Sequence, residues 1–219
     1  MKSDRDEERK NKVGTGRPRS AFARIERVPP LQMFLYLGIV GITVLFLILL
    51  SAYIQTRLRS DLVSGLHPFP RFFSISTVVL LVSSYTLSQA RRLYREDDMK
   101  NLARCLGATL LLGLIFAGLQ VLGWLELKNQ GVYFAGSGAS ASGSYVYLIP
   151  ALHVLHLLGG VVFLIALFAR TLHASRDSIR TLVFIRNPYR RQQLRLLSIY
   201  WHFIDGLWVV LFGVFLFLY

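Results

Sequence analysis

Five long apolar runs, separated by short charged stretches, leave this chain few folds to choose from. They lie at about 31–54, 72–90, 102–127, 144–172 and 196–219, and each is long enough to cross about 30 Å of hydrocarbon at about 1.5 Å per helical residue. Within each run the apolar residues are continuous and do not alternate, which fits helices and not the strands of a closed barrel. The expected fold is therefore an all-α membrane protein, a five-transmembrane-helix bundle.

Composition agrees with that division. Of the 219 residues 53% are hydrophobic and only 17% charged, and the charged ones gather between the runs. A formal net charge of +13 would suit a nucleic-acid binder if the cations shared one face, but here they occupy alternate loops. Nine Lys and Arg precede the first run, five (Arg91, Arg92, Arg95, Lys100, Arg104) separate the second from the third, and seven separate the fourth from the fifth. The other side has Arg57, Arg59, Arg71 and Lys128 alone. Twenty-one against four is a strong positive-inside bias, which places the N-terminus in the cytoplasm and the C-terminus on the outer side.

Residues 1–30 are polar and basic, with Asp4, Asp6, Glu7 and Glu8 among the cations. They read as a flexible cytoplasmic tail, and 31–219 as the transmembrane domain. No apolar stretch follows the first charges as in a secretory leader, and the acids do not suit a mitochondrial transit peptide, so the tail is expected to be retained. The sequence 129–143, NQGVYFAGSGASASG, reads as a flexible outer connection with no phosphate-binding glycine pattern.

The chemistry-bearing residues are few. Cys105 is the single cysteine, so an intrachain disulfide and a cysteine-based metal cluster are both excluded. Of five histidines, only His153, His156 and His202 fall well inside the apolar runs, too few for a ligand set holding several haem and copper centres. No catalytic, metal-binding or cofactor-binding residue is expected on this chain.

Ionisable groups in hydrocarbon are costly and normally face a bundle interior with partners. His153, His156, His202, Asp205 and Gln120 form the expected intramembrane polar network. Taking Arg170, Arg195 and Arg104 as the inner edges of their helices, at about 1.5 Å per residue, His156 lies about 21 Å up, His153 about 25 Å, Gln120 about 24 Å, Asp205 about 15 Å and His202 about 10 Å. On those depths Asp205 and His156 pair directly or through water, with Gln120 near. A haem between two histidines fits poorly, because its ligands must flank one iron at equal depth. The first span carries no acid, so the set reads as interhelical glue before it reads as a proton path. Ser76, Thr77, Ser83 and Ser84 on the second span and Gly107, Gly113, Gly118 and Gly123 on the third mark expected helix contacts.

The segments FPRFFSISTVVLLVSSYTL, LLLGLIFAGLQVLGW, ALHVLHLLGGVVFL and IYWHFIDGLWVVLF, in that order, resemble subunit III of the haem-copper oxidases. The matching residues include the His153, His156, Gly160 spacing and the run Tyr200, Trp201, His202, Phe203, with Asp205 and Trp208 after it. The resemblance covers about 31–219 and is to the short, five-helix form, which lacks the first two helices of the seven-helix form. It implies a subunit without metal or haem in the bacterial plasma membrane. Such a subunit packs on oxidase subunit I in a complex with subunit II, binds phospholipid, and supports assembly and proton uptake. Oxygen reduction and proton pumping would belong to the complex, with haem and copper in the partner subunits. An accessory protein of a nitric-oxide reductase and a stand-alone membrane cytochrome are the alternatives.

The sequence departs from the family pattern in three places. Where the first span commonly has an acid preceded by Ser, this chain reads Val40, Gly41, Ile42, Thr43. A Glu common three residues after the third-span Gln is Gly123 here, with Glu126 one turn on. Before the first histidine, Pro150 and Ala151 replace a common Thr-Gly pair.

Overall fold

A computed structural model describes residues 30–59, 70–136 and 139–218, with 178–180 described for the backbone alone. The tail, His67 and two residues of the glycine-rich outer connection lie outside them. The described residues form six helices: α1 (Pro30–Arg59), α2 (Arg71–Arg95), α3 (Met99–Asn129), α4 (Ala141–Ala174), α5 (Ser178–Arg186) and α6 (Pro188–Leu218). All but α5 are long and apolar enough to span a membrane. The helix bundle lies in a single compact unit that begins at Gly38.

Each spanning helix outruns its apolar run, because hydropathy marks the part in hydrocarbon while the backbone continues until a local signal ends it. Between α2 and α3 the reversal takes three residues. Asp97 adopts φ +60°, a left-handed conformation that Asp tolerates better than most side chains. Asp98 then caps α3 by accepting from the Asn101 backbone N–H at 3.1 Å. At the other end of α3, Gly131 takes φ +81°, and the Val132 and Gly131 amides return to the Leu127 and Lys128 carbonyls, a Schellman closure. Ser140 caps α4, and Asn187 with Pro188 separates α5 from α6, since proline begins a helix well but cannot continue one.

Packing is antiparallel around a ring in which α2 meets α3, α3 meets α4, α4 meets α6 and α6 meets α2. Helix α1 stands against this ring. It buries only Phe46 and Tyr53, whose rings meet His156 on α4 and Phe215 on α6 edge-on at 5.6 and 5.4 Å. Arg57 Nε donates to the Leu218 carbonyl at 2.7 Å, which pairs the C-terminal end of α1 with that of α6. The five-helix bundle is thus a four-helix ring with one helix added by aromatic side chains.

Glycine permits the closest approaches in the ring. A Cβ at Gly123 would lie 2.8 Å from the Phe73 ring, and one at Gly113 would lie 3.1 Å from Trp201. Gly118 has open space around it and is not one of these contacts.

Candidate functional site

The polar side chains of the bundle sit mostly on two facing stripes. Along α2, Ser76, Thr77, Ser83 and Ser84 recur at a seven-residue interval, which keeps them on one side of the helix. Each ties α2 to a neighbour. Ser76 Oγ accepts from Gln120 Nε2 on α3 at 2.8 Å. Thr77 Oγ1 accepts from Trp208 Nε1 at 2.9 Å, and Ser83 Oγ from Trp201 Nε1 at 3.2 Å. Ser84 Oγ and His202 Nδ1 are hydrogen-bonded at 2.7 Å. Where hydrocarbon surrounds a bundle, such bonds and close packing supply the specificity of helix association.

His153 is fully buried. Its Nε2 lies 3.1 Å from the Ile204 carbonyl, and a carbonyl only accepts, so Nε2 carries the hydrogen. The ring is enclosed by Phe116 at 5.7 Å and Trp208 at 5.0 Å between centroids. Its other nitrogen, Nδ1, has no hydrogen-bond partner among the described residues. One turn on, His156 behaves differently. Its Nδ1 donates to the Leu152 carbonyl of its own helix at 2.7 Å, and its ring faces Phe46 of α1.

Asp205 is 3% exposed. It lies between Trp201 and Trp208 on the face of α6 that looks at α2, and the Ser84 hydroxyl faces it. That hydroxyl makes its well-formed bond to His202, and neither Asp205 oxygen has a hydrogen-bond partner among the described residues. Gln120 Oε1 is likewise without one.

These positions correct the expected pairing. Asp205 and His156 do not bond; His156 turns toward α1 and Asp205 toward α2. Their order in depth is also reversed. Ile204 faces His153 and the Tyr200 hydroxyl donates to the His156 carbonyl at 2.9 Å, so Asp205 lies opposite Leu152, about 6–7 Å outward of His156. Depths counted from Arg170 and Arg195 fail because the two arginines are not at one level: α6 begins at Pro188, and Arg195 is already two turns inside it. By the same register His202 sits at a depth between His153 and His156, so unequal depth does not separate the histidines. Direction separates them: His202 toward α2, His153 into the α3–α6 aromatic pocket, His156 toward α1. Gln120 joins Ser76, not the histidines.

The family-motif residues pack this same seam. Gly160 admits Tyr200, whose ring would lie 3.0 Å from an added Cβ. Phe203 is partly buried against the core, and Trp201 and Trp208 carry the indole bonds above. Among the described residues no group of three or more His, Cys, Asp or Glu is placed to hold a metal ion.

A family-wide sequence profile described as "Cytochrome c oxidase subunit III" matches residues 30–219. The chain belongs to that family. It is 31% identical over 187 residues to the cytochrome c oxidase subunit 3 of Bacillus sp. (strain PS3), covering 84% of this chain and 83% of that one. Similarity to the Bacillus subtilis (strain 168) cytochrome c oxidase subunit 3 is 30% over 189 residues, with the same coverage. The probable quinol oxidase subunit 3 of Staphylococcus aureus (strain USA300) is 30% identical over 141 residues, covering 63% of this chain and 62% of its own. Helix α1 carries no acid: Thr43 bonds its own helix through the Ile39 carbonyl at 2.8 Å, and the α1 residue facing His156 is Phe46. Gly123 holds its place against Phe73, and Glu126 is half-buried, its Oε2 without a hydrogen-bond partner among the described residues.

Two features are hidden from sequence reading. Helix α5 is short and lies in a basic loop, where hydropathy carries no signal, though Asn187-Pro188 after it is a legible stop. The indole donors of Trp201 and Trp208 carry no signal of their own in an apolar run. Their seven-residue spacing, close to the six-residue spacing of Thr77 and Ser83, is the available clue.

Proposed function

We propose that this chain is an accessory, non-catalytic subunit of a bacterial respiratory haem-copper terminal oxidase, seated in the plasma membrane beside subunit I. Haem and copper are held by the partner subunits, where oxygen reduction is coupled to proton pumping. This chain holds neither; it supports assembly, phospholipid retention and sustained proton uptake. Family membership over the whole spanning region supports the reading, as do relatives named for both cytochrome c and quinol oxidases.

The observation that carries the non-catalytic part is how the three imidazoles of the spans are used. Each of the three uses a ring nitrogen on a hydrogen bond within the chain, and they point in three directions. A bis-histidine iron site needs two rings facing one point, whereas a helix bundle needs what is found here, polar groups tying neighbouring helices.

Purification through this chain in mild detergent, with identification of the accompanying polypeptides, tests the assignment. A haem-bearing subunit I in stoichiometric yield is expected. Recovery of the chain alone, or with a nitric-oxide reductase large subunit, would overturn it.

A further inference from the structure

Asp205 is 3% exposed, and neither of its oxygens has a hydrogen-bond partner among the described residues. A carboxylate so placed would lose its hydration and receive no N–H or cation in exchange, which is costly in hydrocarbon. One donor is in reach, the Ser84 hydroxyl, and its oxygen lies 2.7 Å from His202 Nδ1. A hydroxyl has one hydrogen to give and can accept others. The hydrogens are therefore all placed if the carboxyl brings its own. Asp205 O–H then donates to Ser84 Oγ, Ser84 O–H donates to His202 Nδ1, and Nε2 carries the imidazole hydrogen on the side of the ring away from Ser84.

The polar chain continues to one side only. Toward the cytoplasm, Ser198 lies one turn from His202 on α6, and Ser88 and Arg91 lie one and two turns from Ser84 on the same face of α2. His202 is partly exposed, Ser88 and Arg91 are exposed, and the Arg91 charge is within electrostatic reach of His202. Toward the outer side the next turn of α6 brings Trp208. Its N–H is held by Thr77, and its ring is enclosed by Phe73, Phe116 and His153 at 6.1, 5.2 and 5.0 Å between centroids. Aromatic rings thus close the seam there. The other packed helices offer no second route: α3 has no charged residue between Arg104 and Glu126, and His153 of α4 keeps its Nε2 on the Ile204 carbonyl.

We propose that Asp205 is a protonated carboxylic acid that exchanges its proton with the cytoplasmic side through Ser84 and His202. The Asp205 proton passes to Ser84 Oγ as the Ser84 proton passes to His202 Nδ1, leaving a carboxylate and an imidazolium. The imidazolium releases its Nε2 proton to water at the cytoplasmic end of the seam, and the neutral ring then donates from Nδ1 to Ser84. Uptake of a proton from water runs the same steps backward. Imidazole suits the position because it loads at one nitrogen and unloads at the other near neutral pH. The site is a blind well that fills and empties from one side of the membrane. It rests on the orientation of the bundle and not on the oxidase assignment.

Infrared spectra of the full chain test it, recorded while light water is replaced by heavy water, on protein purified with whatever polypeptides accompany it and reconstituted in lipid. The carboxylic C=O band present in the wild type and lost in Asp205→Asn reports the Asp205 proton, and its shift in heavy water reports exchange. Ser84→Ala and His202→Phe are expected to keep the band and to slow its shift about tenfold or more, to the pace of local helix opening. Ser84→Thr, which retains the hydroxyl, and Thr77→Val, on the outer side of Asp205, are expected to exchange at the wild-type rate. Identical carboxylic bands in the wild type and Asp205→Asn would mean an ionised Asp205 and overturn the proposal. So would wild-type exchange in either Ser84→Ala or His202→Phe. Slowing in Ser84→Thr equal to that in Ser84→Ala would overturn it too, by making packing and not the hydroxyl the cause. Slowing in Thr77→Val alone would place the access on the outer side and overturn the direction.

Discussion

Trp208 donates its indole N–H to the Thr77 hydroxyl at 2.9 Å, and the same pairing recurs about seven residues along each helix, where Trp201 meets Ser83. Two bulky donors on α6 are therefore matched to two small acceptors on α2. The small residue lets the helices approach, and the indole fills the gap while satisfying its own polar edge. Between the two bonds lies Asp205, so the seam sets where the buried carboxyl sits.

If the seam is held by these bonds, Thr77→Val and Trp208→Phe should not be additive. Interhelical bonds of this kind average about 0.6 kcal/mol and reach about 1.7 kcal/mol, and the double-mutant cycle, measured by reversible unfolding in detergent or bicelles, should give a coupling in that range. Additive costs would mean that the indole packs without bonding.

The approach of α2 to α3 at Gly123 is limited by a ring. Gly123→Ala should cost about 1–3 kcal/mol through overpacking against Phe73, and Phe73→Leu should recover most of it. Gly118→Ala, with open space around it, should be neutral or slightly stabilising, since alanine is the better helix former. Thermal stability of the three variants checks the contrast.

His153 and His156 should part company on mutation. His153→Leu removes a buried bond to the Ile204 carbonyl and should destabilise the whole ring by about 1–3 kcal/mol. His156→Leu loses a bond made within its own helix, and its effect should fall on the docking of α1 through Phe46. Hydrogen exchange resolved by segment would show faster exchange confined to α1 in His156→Leu and spread over α4 and α6 in His153→Leu.

The cap of α3 predicts a pH dependence. The Asn101 backbone amide, and then its side chain, hold the Asp98 carboxyl below the usual carboxylate range. A folded value below the unfolded one means that the cap's contribution is complete above the unfolded pKa of about 3.9 and is lost as pH falls through the folded value. Between about pH 7 and 5 Asp98→Asn should track the wild type, and below about pH 4 its melting temperature should fall less steeply. Parallel curves down to about pH 3 would contradict the cap.

The five spans were legible because hydrocarbon enforces one pattern, long apolar helices with cations on the inner side. The polar stripe of Ser76, Thr77, Ser83 and Ser84 was legible for the same reason, since small hydroxylated residues in such helices have few uses besides contacts. The partners were not legible. Whether Asp205 meets His156 depends on the axial register and rotation of α4 against α6, and those follow from Tyr200 over Gly160 and the His153 bond to Ile204, contacts a charge boundary does not encode. The marginal attachment of α1 was equally hidden, because its run is the most apolar of the five and hydropathy cannot distinguish lipid from protein as its surroundings.

On the proposed function the three imidazoles of the spans are structural ties and the redox centres belong to partner subunits. The most direct test is the reduced-minus-oxidised spectrum and haem content of the full chain, expressed without its partners in haem-replete cells and purified in mild detergent. No Soret difference and no stoichiometric haem are expected, with both appearing only when the complex is recovered. A Soret band from the chain alone that disappears in His153→Leu or His202→Leu would contradict the assignment.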